Sequence, residues 1–258
     1  MLGCVCPHPP LLIPQIGGAS RADVQATVDA MERLAGEVGT ADLAVVISPH
    51  TPGFRDAITV RSPVTLVGDF GQFRCPQVGL RIENDVEFVD RLVTRATGDG
   101  GIDVEPVDDG VLDHGVLVPF FFLKARQLVS VSVMQSYDVH KRLGRLVREC
   151  ADELGRDVLF VASGDLSHRL IPGAPAGFDP QGAEFDRQVV DVFASGDLAA
   201  LDGLDPSLVR SAGECGLRSF IALGAFLDAS SGDVDGHVLS YEGPFGVGYA
   251  VAAFERAA

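Results

Sequence analysis

Basic residues are scarce in this chain: 20 Lys and Arg stand against 36 Asp and Glu, a formal charge of −16 over 258 residues. Phosphate backbones are held by clustered Lys and Arg, and no such cluster occurs, so a nucleic-acid surface is not expected. The acidity reads as solubility. Cysteine is sparse too. The five cysteines (Cys4, Cys6, Cys75, Cys150, Cys215) are odd in number and follow no disulfide framework, and the N-terminus lacks the basic region of a secretory signal. A reducing, cytoplasmic setting is the expectation. Long apolar runs are missing as well. The longest, Val116 to Leu123, contains Pro119 and falls well short of the roughly 20 residues a membrane helix needs. There is no Gly-x-Ser-x-Gly elbow either, which counts against a hydrolase built on Ser167 and His168.

What is present suffices for a substantial core, since 47% of the residues are hydrophobic and 22% charged. Strand-like and helix-like segments alternate along the chain, which points to an α/β fold of three layers, α/β/α, around a central mixed sheet. Residues 2 to 6, Leu43 to Ser48, Leu128 to Met134 and Val158 to Ala162 read as buried strands. Ser20 is a candidate N-cap for a helix carrying Val24, Val28, Met31 and Leu34. Asn84 with Glu87 three residues on resembles a capping box. Asp138 to Leu154, Pro180 to Phe193 and Gly213 to Leu227 read as helices, and His237 to Tyr241 and Val247 to Phe254 as closing strands. With no repeat, linker or charge block, one domain spanning 1–258 is expected.

Three of these apolar runs empty into histidine motifs: Pro7-His8-Pro9-Pro10, Ser48-Pro49-His50 and Ser163-Gly164-Asp165-Leu166-Ser167-His168. In an α/β sheet the carboxyl ends of the strands form the rim where ligands bind, so histidines far apart in sequence can converge there. Converging imidazoles suit metal or acid/base chemistry. Two histidines and a carboxylate on one face of an octahedral ion leave open positions, as non-haem Fe(II) centres require. His8, His50 and Glu214, from Gly213-Glu214-Cys215-Gly216, satisfy that count. His168 is then a base beside the metal, with Asp165 or Ser167 setting its tautomer, and His114 in Asp113-His114-Gly115 is a further donor. The bland alternatives are concrete: Glu214 can pair with Arg218 one helical turn on, and Cys4 and Cys6 can be small buried groups.

Taken in order, Pro-His-Pro-Pro, Ser-Pro-His, Asp-His-Gly, Ser-Gly-Asp-Leu-Ser-His and Gly-Glu-Cys-Gly resemble the class III extradiol ring-cleavage dioxygenases, typified by the catalytic B subunit of protocatechuate 4,5-dioxygenase. The resemblance runs nearly the whole length and is strongest to the B-subunit-like domain of the AmmeMemoRadiSam group. It implies Fe(II) bound by His8, His50 and Glu214, His168 as catalytic base, His114 in the pocket, and a catechol-type substrate opened with dioxygen. It also implies an alternative. Relatives of the Memo type place a cysteine near this position, so Cys215 competes with Glu214 as third ligand, and a thiolate favours zinc or copper(I) over oxygen-activating iron. On that alternative the chain is a metal-binding protein without oxygenase activity, working with radical-SAM-linked partners. A homo-oligomer is expected on either reading.

Overall fold

The computed structural model describes residues 1–133, 136–229 and 232–256. In chain order the elements are β1 Leu2–Cys6, α1 Pro14–Gly17, α2 Gln25–Val38, β2 Thr40–Ile47, β3 Ile58–Arg61, β4 Thr65–Phe70, β5 Cys75–Glu83, α3 Val86–Arg95, β6 Val104–Val107, α4 His114–Phe122, β7 Lys124–Val131 and α5 Tyr137–Leu154. There follow β8 Val158–Ser163, α6 Gln181–Ser195, α7 Pro206–Ala212, α8 Leu217–Leu227, β9 Val234–Glu242 and β10 Tyr249–Arg256. The ten strands form one mixed sheet in the order β4-β5-β7-β2-β8-β1-β10-β9, with β3 paired to β6 and β7.

The centre of the sheet, β7-β2-β8-β1, is parallel. Its strands are near-continuous apolar runs because helices cover both faces. Alternation along each strand divides the core. Val5, Val45, Val129 and Phe160 face a layer that includes Leu146, Phe193 and Phe220 of α5, α6 and α8. Cys4, Val46, Leu128 and Val161 face Val28, Met31 and Leu34 of α2 and Val116 of α4. The three-layer expectation is met. Cys4 and Cys6 lie on one face, as period two requires, with their sulfurs 3.7 Å apart inside that second core.

The starts of α2 and α3 differ from the sequence reading, each for a tertiary reason, and α8 begins at Leu217, not at Gly213. Residues Gly18–Val24 form a 3-10 segment and α2 begins at Gln25, not after Ser20. Its first-turn Thr27 gives both its backbone N–H (2.7 Å) and its hydroxyl (2.5 Å) to Glu242 Oε1 at the end of β9. At α3 the cap is Asp85, which accepts from Phe88 N at 3.0 Å. Asn84 instead donates to the carbonyls of Arg61 and Pro63. The expected strand 128–134 is β7, displaced toward its N-terminus; Met134 lies outside the described residues. Val116 to Leu123 falls largely in α4, which holds Pro119. No helix among the described residues is long and apolar enough to cross a membrane.

Candidate metal centre and its cavity

Register brings the histidine motifs together. In the parallel pairing of β1 with β8, Cys6 lies opposite Ser163, and in that of β2 with β8, Ile47 lies opposite Ala162. The three strands therefore end level, and the residues just beyond them share one rim. His8 follows β1, His50 follows β2, and Asp165 and His168 follow β8. A backbone bond ties two of these exits: His8 N–H donates to Asp165 Oδ1 at 3.0 Å.

His8 Nε2 and His50 Nε2 stand 3.0 Å apart. The tautomer of His8 follows from its other nitrogen. Ser163 Oγ gives its proton to the Gly115 carbonyl at 2.6 Å, so at 2.9 Å from His8 Nδ1 it can only accept. His8 therefore carries its proton on Nδ1 and presents a bare Nε2. Burial, then the neighbouring His50, lowers the His8 pKa to about 3, which keeps the ring neutral. His114, first residue of α4, lies with its ring centroid 4.0 Å from that of His50 and 5.5 Å from that of His8. Burial lowers its pKa to about 4. Asp113 organises this side. It caps α4 through Gly115 N, accepts from Ser48 Oγ at 2.7 Å and from Thr51 Oγ1 at 2.5 Å, while Ser48 Oγ accepts from His50 N.

The third donor beside the histidine pair is sulfur. Cys215 Sγ lies 3.8 Å from His8 Nε2, and the ligand atoms of His8, His50 and Cys215 all lie within 4.8 Å of one another. Asp165, His168 and Cys215 form an overlapping group by the same measure. Glu214 is not brought to the pair. It precedes α8, and its carboxylate accepts from Leu217 N at 2.7 Å, satisfying an orphan first-turn donor. It also pairs with Arg218 Nη1 at 3.5 Å, its side chain only 4% exposed. Successive side chains here diverge, so committing Glu214 to the helix start sends Cys215 to the rim, where Sγ accepts from Asp165 N at 3.3 Å. Burial pushes the Cys215 thiol up, and the nearby Asp165 charge adds to that.

His168 is held by its loop. Its Nδ1–H donates to the Leu166 carbonyl at 3.0 Å, so Nε2 is the nitrogen left to exchange a proton. The loop in turn rests on a pair that sequence reasoning did not single out. Asp186 of α6, fully buried, accepts from Ser167 N at 2.8 Å through Oδ1 and from Tyr241 OH at 2.7 Å through Oδ2. Ser167 Oγ and His168 N both donate to the Ala212 carbonyl. Only glycine fits at 248, where a Cβ would come 2.1 Å from Asp186 Oδ2. His140 bonds the Ser136 carbonyl within α5 and its preceding turn, and His237 faces Glu37, so neither joins the centre. Of the phenylalanine run, Phe120 and Phe122 are buried in the core and Phe121 is 39% exposed.

Beside His50 and Asp113 opens a cavity of about 540 Å³, walled by Val67, Leu80 and Leu112. Its volume lies in the range of small-molecule sites. The donor set fits a metal ion. Two nitrogens each about 2.1 Å from one ion at a right angle stand about 3 Å apart, as the two Nε2 atoms do, and a neutral imidazole whose far N–H donates a hydrogen bond, here to Ser163 Oγ, is the usual form of a histidine ligand.

A mixed α/β sheet with a neutral histidine pair and a thiol at its carboxyl rim, opening on a small-molecule cavity, defines a candidate metal-dependent enzyme fold. The chain belongs to the family described as the catalytic LigB subunit of aromatic ring-opening dioxygenase, whose model matches residues 2–252. It is similar to Protein CA_C1420 of Clostridium acetobutylicum, 31% identical over 264 residues that take in 96% of this chain and 56% of that protein. The chain thus spans little more than half of that relative's length. It is 27% identical to a 2,3-dihydroxyphenylpropionate/2,3-dihydroxicinnamic acid 1,2-dioxygenase of Rhodococcus sp, across 73% of this chain and 77% of that one. It is 26% identical to a MEMO1 family protein of Methanococcus vannielii, across 48% and 42%. The fold matches the crystal structure of the uncharacterized protein JW3007 from Escherichia coli K12 with a TM-score of 0.68 at 16% identity, covering 98% of this chain and 99% of that one.

Proposed function

We propose that this chain opens a catechol-type aromatic ring with dioxygen at a metal held by His8, His50 and Cys215. The observation that carries this reading is the convergence of the bare His8 Nε2 on His50 Nε2, 3.0 Å away, with His50 lining the cavity. Membership of a ring-opening dioxygenase family and similarity to a dioxygenase support it. A bound ion supplies Lewis acidity toward the diol oxygens and, when it is iron(II), a route for electrons to dioxygen. The protein does the rest. His168, with Nδ1–H committed to Leu166 O, takes the diol proton on Nε2. His114, kept neutral by burial, offers a hydrogen bond beside His50. The apolar walls exclude water from the reacting face. The test is oxygen uptake by anaerobically Fe(II)-loaded protein across a panel of catechols. Substrate-dependent uptake with a yellow ring-fission product, abolished in His168→Ala, is expected; no uptake with iron demonstrably bound overturns the reading.

A second reading follows from one atom. Sulfur at Cys215, where the resemblance allowed a carboxylate, favours a softer ion, and similarity to a MEMO1 family protein is consistent with it. On this reading the protein binds zinc or copper(I) and has no oxygenase activity. Metal analysis of protein isolated without added metal separates the two: stoichiometric iron favours the first, zinc or copper the second.

A further inference from the structure

His8 and His168 each owe their orientation to a hydrogen bond at Nδ1, with Ser163 Oγ at 2.9 Å and with the Leu166 carbonyl at 3.0 Å. His114 has no such bond. Among the described residues no group bonds either of its ring nitrogens, and the residue is only half-buried. An imidazole turns easily about χ2, whose wells are broad, so something other than a hydrogen bond has to fix this ring. Three rings lie against it among the described residues. Two are His50 and His8, with centroids 4.0 and 5.5 Å away, and these belong to the centre itself. The third is Phe73, whose centroid lies 5.4 Å from that of His114 with the planes at 74°. An edge-to-face pair at this separation is an arrangement that aromatic rings prefer.

Phe73 sits in the turn that joins β4 to β5, and main-chain bonds fix that turn. Gly71 N–H donates to Asp69 Oδ1 at 2.7 Å, and Arg74 N–H to the Gly71 carbonyl at 2.9 Å. Arg74 closes the turn at φ +61°, left-handed backbone that a residue with a Cβ rarely adopts. Phe73 then packs on the second core beside Phe70, their centroids 6.3 Å apart. Along the other edge of β4, Val67 N–H donates to the Gly110 carbonyl and Leu112 N–H to the Val67 carbonyl, both at 2.8 Å. The segment tied in this way runs directly into His114. Hairpin and imidazole are therefore held in one register by backbone. The same hairpin gives Val67, Gln72 and Leu80 to the cavity wall.

We propose that Phe73 is a positioning residue, whose ring holds the His114 imidazole at the angle from which a free nitrogen bonds a diol at the metal centre. This rests on His114 offering a hydrogen bond beside His50, as in the proposed function. With both nitrogens free of the protein, a neutral His114 can donate from one and accept at the other, so what the fold has to supply is the angle of the ring. Phe73 itself touches neither metal nor diol in this account.

The experiment is anaerobic titration of the Zn(II)-loaded chain with 4-nitrocatechol, followed by the colour change on chelation; zinc holds the diol without turnover. His114→Ala should weaken binding by about threefold or more, the share of an ordinary hydrogen bond. Phe73→Leu keeps apolar bulk but removes the ring, and should give about the same loss. Combined with His114→Ala, Phe73→Leu should change affinity by less than about 1.5-fold, because nothing is left to position. Phe73→Tyr keeps the ring and should bind within about twofold of the wild type. Phe73→Met replaces the leucine variant if that does not fold. A loss from Phe73→Leu that is equally large with and without His114 marks a merely structural role and overturns the inference. So does unchanged affinity in Phe73→Leu or His114→Ala, or a loss in Phe73→Tyr as large as in Phe73→Leu. Each of these outcomes leaves the proposed function intact. Binding of no diol at all, with zinc demonstrably in place, overturns the proposed function and this inference with it.

Discussion

Replacing Asp186 by asparagine should stabilise this protein at neutral pH, although it alters a fully buried group that makes two good hydrogen bonds. The carboxyl lies between Ser167 N–H and Tyr241 OH with no cation beside it. Burial pushes its pKa up to about 6 despite both bonds. A carboxyl raised from an ordinary value near 3.8 to about 6 favours the folded state when protonated. Its ionisation then costs about 3 kcal/mol of folding stability. The sign follows: the penalty is absent below about pH 4, grows as pH rises through the window to about pH 6, and is constant above it. Asparagine has the same shape, keeps an oxygen toward Ser167 N, and lets Tyr241 turn its hydroxyl to accept. Urea unfolding of the metal-free wild type and Asp186→Asn, from about pH 4 to about pH 8, reads the difference directly. The two should be close at the acid end, with the variant gaining on the wild type by up to about 3 kcal/mol by neutral pH. A gap that does not change with pH refutes the argument, because only a pH-dependent gap reports Asp186 ionisation. The same variant should lose turnover, since the charge is what holds Ser167 N–H and so His168 most firmly; stability given up at a site for its geometry is a common exchange.

The remaining expectations concern the centre and its support. Cys215→Ser should weaken metal binding by more than the roughly 10- to 100-fold typical of outer-shell changes, whereas Glu214→Gln should change it less than about tenfold, as read by competition with a chelator; the reverse order would make Glu214 the ligand. His168→Ala should lower kcat by about 10²- to 10⁴-fold with metal content unchanged, and loss of metal in that variant would make His168 a ligand. Gly248→Ala places a Cβ 2.1 Å from Asp186 Oδ2 and should destabilise by about 1–3 kcal/mol, seen as a lower Tm; an unchanged Tm would mean the Asp186 anchor yields easily.

The rim was legible because parallel strands buried on both faces announce themselves as apolar runs, and three of them, β1, β2 and β8, run into a proline or glycine with a histidine one to four residues beyond it. Strand register, which the sequence does not spell out, turns those exits into a cluster, with Cys6 opposite Ser163 and Ile47 opposite Ala162. Helix starts were less legible. The N-terminus of α2 is tied by Glu242 from the far end of the chain, not by local Ser20. Asp186 and Tyr241 gave no signal at all. Each is an ordinary polar residue in an amphipathic helix or a strand, and only tertiary packing buries Asp186 and brings the Tyr241 hydroxyl to it.

The choice between Glu214 and Cys215 shows why adjacent residues are hard to separate from sequence. Both are compatible with a ligand role, and the local chain places the two side chains differently through bonds that have nothing to do with metal. The helix α8 needs an acceptor for Leu217 N–H, and a carboxylate three residues earlier supplies it at 2.7 Å. Arg218, one turn on, draws the same carboxylate along the helix. With Glu214 so engaged, the next side chain turns to the rim, and Asp165 N–H fixes its sulfur there. Asp165 also accepts from His8 N. One residue thus sets the relation between His8 and the Cys215 thiol, and it lies on the same loop that carries His168. For Glu214 to reach the histidine pair, both its bond to Leu217 N–H and its pair with Arg218 would have to break.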